Sequence, residues 1–133
     1  MLRTKLAIAT MMMGMLATGR PVLAHHSFSA EYDFAKPITL QGTVVKWELI
    51  NPHGWITVDV KDTNGKVVRW AVETGNPNAL LRAGWRKDSL KPGDEVTIEG
   101  YLAKDGTPTV NGVQVTMADG RKVLAASSVT NGR

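Results

Sequence analysis

From Ile38 onward, short runs of alternating apolar and polar residues, cut by tight-turn dipeptides, decide what this chain can fold into. Thr43, Val45, Trp47 and Leu49 take every second position, with Lys46 and Glu48 between them. Such a period of two predicts a strand with one buried face. Asn51-Pro52-His53-Gly54 breaks that strand. Ile56, Val58 and Val60 then alternate with Thr57, Asp59 and Lys61. Asn64-Gly65 is a strong two-residue hairpin signal. Val68, Trp70 and Val72 carry the returning strand.

The period then changes. Asn76-Pro77 puts a capping side chain before a proline at the first helical position. A short helix is predicted over Pro77–Ala83, stopped by Gly84. Lys91-Pro92-Gly93-Asp94 turns into a fourth strand, with Val96, Ile98 and Leu102 on one face. Asp105-Gly106 is a further hairpin signal. A fifth strand is predicted at Val113, Val115 and Met117, and after Asp119-Gly120 a short one at Lys122–Ala125. Three strands, a short helix, two strands and a small extra one is the order of an OB-fold. The fold class is therefore all-β with one short helix, an OB-like five-stranded Greek-key barrel.

The first 24 residues read as an address rather than as structure. Arg3 and Lys5 open a charged start, an apolar run follows from Leu6 to about Thr18, and Val22-Leu23-Ala24 ends in small residues before a cleavage point. These are the three regions of a secretory signal peptide. The run is shorter than the roughly 20 apolar residues of a membrane span. The organisation expected is a signal at 1–24, an arm at 25–37 carrying Phe28, Tyr32 and Phe34, the barrel at 38–126 and a polar tail at 127–133.

That cut changes the charge. The whole chain carries a formal +4, but three of its 16 basic residues (Arg3, Lys5, Arg20) and none of its 12 acidic ones lie in the segment removed, so the remainder is near +1. A nearly neutral domain has no electrostatic case for nucleic acid, and after cleavage it has no membrane segment. The chain has no cysteine, which excludes a disulfide scaffold, a thiolate metal site and a cysteine nucleophile. An exported domain without disulfides is expected in a bacterial periplasm, held together by packing alone.

The chain has three histidines: His25, His26 and His53. After the predicted cut His25 is the first residue and offers amine and imidazole together to one metal ion. His26 adds a second imidazole, and His53 a third from the loop after the first strand. Nitrogen donors of this kind suit Cu(II), Ni(II) or Zn(II), with Cu(II) favoured by intrinsic affinity. A chelating terminal histidine resembles the histidine brace of copper-dependent polysaccharide oxygenases, a likeness that covers His25 alone. A cut one residue earlier would instead give Ala24-His25-His26, a terminal copper- and nickel-binding tripeptide. The plainer reading is a histidine-containing arm that binds nothing.

Glu31 and Asp33 offer oxygens near the arm, and Asp59 and Glu73 are expected on the outer faces of the second and third strands. On that same outward set, Trp55 with Arg69 offers a surface on which a planar ligand, a sugar or a protein partner stacks. The arm aromatics Phe28 or Tyr32 covering that face is the competing reading. Trp47 and Trp70 are expected in the core, and Trp85 at a barrel end. No serine lies in a nucleophile elbow, no glycine-rich phosphate loop occurs, and no cleft is indicated that would desolvate a carboxylate. No catalytic residue is assigned.

Four motifs carry a family resemblance: HHSFSAEYD at 25–33, NPHGWI at 51–56, NPNALLRAGW at 76–85 and LKPGDEVTIEGY at 90–101. Together they resemble a family of uncharacterised secreted bacterial proteins, a domain of unknown function. The resemblance implies export and a compact β-rich domain, with histidines at the positions of His25, His26 and His53. It implies no activity. The function expected is a non-enzymatic periplasmic binding module, its ligand a transition metal on the three histidines or a partner on the Trp55–Arg69 face.

Overall fold

The chain from Tyr32 to Leu49 is one strand of 18 residues, far longer than its neighbours, and it serves two partners. A computed structural model describes residues 28–125. Its elements are α1 (Phe28–Glu31), β1 (Tyr32–Leu49), β2 (Gly54–Lys61), β3 (Val67–Glu73), α2 (Pro77–Arg82), β4 (Glu95–Ala103), β5 (Thr109–Met117) and β6 (Lys122–Leu124). The first half of β1 pairs with β4, the second half with β2. The β2–β3 and β4–β5 pairs are also antiparallel, and a parallel β3–β5 pairing closes a ring of five strands. Beyond the end of β3, β6 takes its place beside β5. The expected order of strands and helix holds. The arm opens with the helical turn α1 and is extended strand from Tyr32, which pairs with Ala103.

Alternation misplaces two faces, for one physical reason. Thr43 and Val45 were expected inward, yet the buried residue is Val44, 1% exposed. Val44 pairs with Val58 and Lys46 with Thr57, so Val45 is an extra residue on β1. A bulge of this kind shifts the side-chain phase by one, which is why Trp47 and Leu49 beyond it do face the core as expected. On β5, Glu99 pairs with Gln114 and Gly100 with Gly112, so Val113 is the extra residue. Val110 and Val115, on either side of it, are fully buried.

The core runs through Leu40, Val44, Ile56, Val58, Val72, Ile98 and Val110, with Leu80 and Trp85 from the β3–β4 connection. α2 forms as its signals require: Asn76 Oδ1 accepts from the Ala79 N–H at 2.9 Å, and Pro77 takes the first turn. Trp47 and Trp85 pack together with ring centroids 4.8 Å apart.

Closing so small a ring demands close backbone approach at Gly42, just before the β1 bulge. A Cβ there would lie 2.5 Å from the Asp59 carbonyl oxygen and 2.9 Å from Val60 Cγ2. The obstacle is backbone, so it does not yield by a side-chain rotation. Gly42→Ala is expected to cost about 1–3 kcal/mol as overpacking. A lowered urea midpoint at unchanged slope measures it, and an unchanged midpoint would refute the close approach.

Candidate functional site

Glu73 is the last residue of β3 and directly faces Trp55 on β2, in the alternation's outward set. It is nonetheless only 6% exposed. The expectation of a carboxylate open to solvent on the outer face is therefore corrected, and the cause is what lies over it. Tyr32, itself 5% exposed, donates its hydroxyl to Glu73 Oε2. His53 brings Nδ1 against Glu73 Oε1, with 38% of the His53 side chain exposed. A buried carboxylate is tolerated because both oxygens are engaged.

Each member reaches the carboxylate by a traceable route. Gly54, the residue after His53, donates its N–H to the Gly75 carbonyl at 2.9 Å and accepts from the Thr74 N–H at 2.9 Å. A Cβ at Gly54 would lie 2.6 Å from Thr74 Oγ1 and 2.8 Å from Leu80 Cδ1. Glycine thus lets the β1–β2 loop close onto the end of β3, which sets His53 beside Glu73. Tyr32 is held by the N-terminal segment. The Lys104 N–H donates to the Glu31 carbonyl at 2.8 Å, and Lys104 Nζ to the Ser29 carbonyl at 2.6 Å. Phe28 stacks on Tyr32 at 5.4 Å and packs on Phe34 at 4.3 Å, and both rings meet Tyr101 edge-on. On β5, Asn111 pairs with Glu73 and is 1% exposed, and its Oδ1 has no hydrogen-bond partner.

Burial pushes the Tyr32 hydroxyl well above the usual tyrosine range, and the bond to the Glu73 carboxylate pushes it the same way. Tyr32 is thus a proton donor that stays protonated, and its partner an acceptor with both oxygens occupied.

Among the described residues, no three His, Asp or Glu side chains are grouped to hold a metal ion. His53 alone of the predicted ligands lies within them; His25 and His26 fall outside the described residues, as does the predicted signal segment. Asp33 accepts from the Ala35 N–H at 2.9 Å, so one of its oxygens closes a local turn.

The second candidate face is not brought together. Trp55 lies opposite Glu73, whereas Arg69 lies opposite Asp59, four pairs further along. Four residues of strand separate them by about 13 Å. Arg69 makes a bidentate pair with Asp59, at 2.8 and 2.9 Å. That hydrogen bond holds the exposed Asp59 carboxyl below its usual range and Arg69 above its own. Trp55 is half-buried.

Sequence reasoning singled out His53 as one of the chain's three histidines, placed in the loop after the first strand. It listed Tyr32 only as a cover for this face, and it left Glu73 as a surface charge. Nothing local marks Glu73, because its partner Tyr32 is 41 positions away. The alternation that pointed its side chain outward was correct in direction but silent about what covers it.

Among the described residues no helix is long and apolar enough to cross a membrane. No curated protein matches the chain. The model of a family of unknown function, DUF6152, matches residues 13–114, a span that takes in Tyr32, His53 and Glu73, and the chain belongs to that family.

Proposed function

We propose that this chain is an exported, non-enzymatic binding module that holds a transition-metal ion, Cu(II) first, through His53 and the processed N-terminus at His25 with His26. The observation that supports it most is Glu73, which binds His53 through Nδ1 and the arm through Tyr32. A metal-ligating histidine commonly gives its second nitrogen to a carboxylate in this way. The same carboxylate anchors the segment that leads back to the other two histidines. Phe28 rests on Tyr32, and from Phe28 to His26 is at most about 7 Å of chain. With no cysteine in the chain, and Met117 at the end of β5 the one methionine outside the predicted signal, nitrogen is the main donor left for a borderline divalent ion. The barrel-face alternative around Trp55 and Arg69 has less behind it, since Arg69 is already engaged by Asp59.

The test uses protein beginning at His25, titrated with Cu(II) against a competing chelator. Binding tighter than about 1 μM is expected, weakened at least 10-fold in His53→Ala, and weakened again when the His25 amine is acetylated. Binding that is weaker than micromolar, or indifferent to His53→Ala, would overturn the reading.

A further inference from the structure

A neutral imidazole carries one proton on two nitrogens, and its surroundings choose which. For His53 the surroundings are asymmetric. Nδ1 lies against Glu73 Oε1, and a carboxylate is acceptor-only. With the proton on Nε2, the Nδ1 lone pair would face a carboxylate oxygen, acceptor against acceptor, at a buried group. Glu73 cannot turn away from His53 without breaking its other bond. Oε2 is held by the Tyr32 hydroxyl, and Tyr32 is 5% exposed and fixed by the Phe28 stack. The Gly54–Gly75 and Thr74–Gly54 backbone bonds hold the two stretches of chain together, so His53 does not drift off either.

We propose that Glu73 and Tyr32 are positioning residues that lock His53 with its proton on Nδ1 and leave Nε2 as the ring nitrogen that carries the lone pair. Glu73 sets the tautomer and Tyr32 sets Glu73. The bearing on metal binding rests on the reading of His53 as a ligand. There the lock means that Nε2 is the coordinating atom and that no tautomer exchange precedes binding. A role in packing alone would leave the tautomer to solvent.

Nitrogen NMR on metal-free, 15N-labelled protein beginning at His25 separates the two ring nitrogens, at a pH where imidazoles are neutral. His53→Ala assigns the signals. The expected result is a proton-bearing Nδ1 and a bare Nε2. That pattern should be lost in Glu73→Ala and weakened in Glu73→Gln, where a single amide oxygen is contested by the Tyr32 hydroxyl and His53 and the amide N–H2 favours the other tautomer. Cu(II) affinity should fall about 10–100-fold in Glu73→Ala and less in Glu73→Gln, the range for loss of an outer-shell partner. Wild-type protein with the His53 proton on Nε2 overturns the inference, and so does Glu73→Ala with the wild-type tautomer. If Glu73→Ala does not fold, wild type and Glu73→Gln decide the matter. The expected tautomer together with no Cu(II) binding would uphold the positioning roles and sink the metal reading alone.

Discussion

Trp85→Ala is expected to remove about 3–5 kcal/mol from the stability of the folded chain, the range for deleting a buried tryptophan. Trp85 is 1% exposed and packs on Trp47 in the core cluster. Its backbone is fixed independently of the ring. The Trp85 N–H donates to the Leu80 carbonyl at 2.9 Å, and Arg86 donates to the Trp85 carbonyl at 2.7 Å. The chain therefore has little freedom to collapse into the space left, and an unrelaxed cavity is the costly kind. A domain of this size has about 5–15 kcal/mol in all, so the variant sits near the margin. Urea unfolding followed by far-UV circular dichroism measures the loss. Leu81→Ala, on the exposed side of α2 at 42% exposure, is the control and should move the midpoint little. Equal effects from the two would mean that Trp85 does not fill the core.

Glu73→Ala is expected to cost about 3 kcal/mol or more, from two charge-assisted hydrogen bonds at about 1.5–3 kcal/mol each. The loss is larger than the bonds alone suggest, because the Tyr32 hydroxyl remains buried without its acceptor. Tyr32→Phe should cost less, since Glu73 keeps His53. The double variant should fall short of the sum of the singles, as expected for residues in one network; strict additivity would refute the coupling. Alkaline pH offers a second reading of the same contact. The Tyr32 hydroxyl is raised above the usual range in the fold, so the folded chain holds that proton more tightly than the unfolded one. Its contribution is complete below about pH 10, the ordinary tyrosine value, and is lost as pH rises beyond it. Tyr32→Phe should flatten that alkaline decline relative to wild type, by the part that belongs to this residue.

Most of the architecture is legible in local pattern, and the exceptions share a cause. Period-two alternation placed Ile56, Val58 and Val72 in the core, where they are fully buried. Asn64-Gly65 and Asp105-Gly106 marked the turns after β2 and β4, and Asn76-Pro77 marked the start of α2. The same rule failed at Val44 and Val113, because a bulge is an extra residue that a strict period cannot register. The arm is a different case. Phe28, Tyr32 and Phe34 have no period of their own, and their cluster is completed by Tyr101 from β4. At the site, His53 was visible as a residue type in a loop, whereas Glu73 and Tyr32 owe their roles to each other across 41 positions. Contacts of that span are set by topology, and topology is what single-strand patterning does not contain.

The parallel seam between β3 and β5 joins Ala71 to Thr109, about forty residues apart. In time rather than in space, such a seam is late: the chain spends loop-closure entropy before any non-local pair stabilises it. The hairpins β2–β3 and β4–β5 close over short connections and come first. Only once the seam is made does Asn111 come to lie beside Glu73, so the surroundings of the carboxylate wait on a non-local pairing. Run backward, that order makes this corner a leading candidate for sub-global opening, with backbone amides at the seam exchanging before those in the middle of β2.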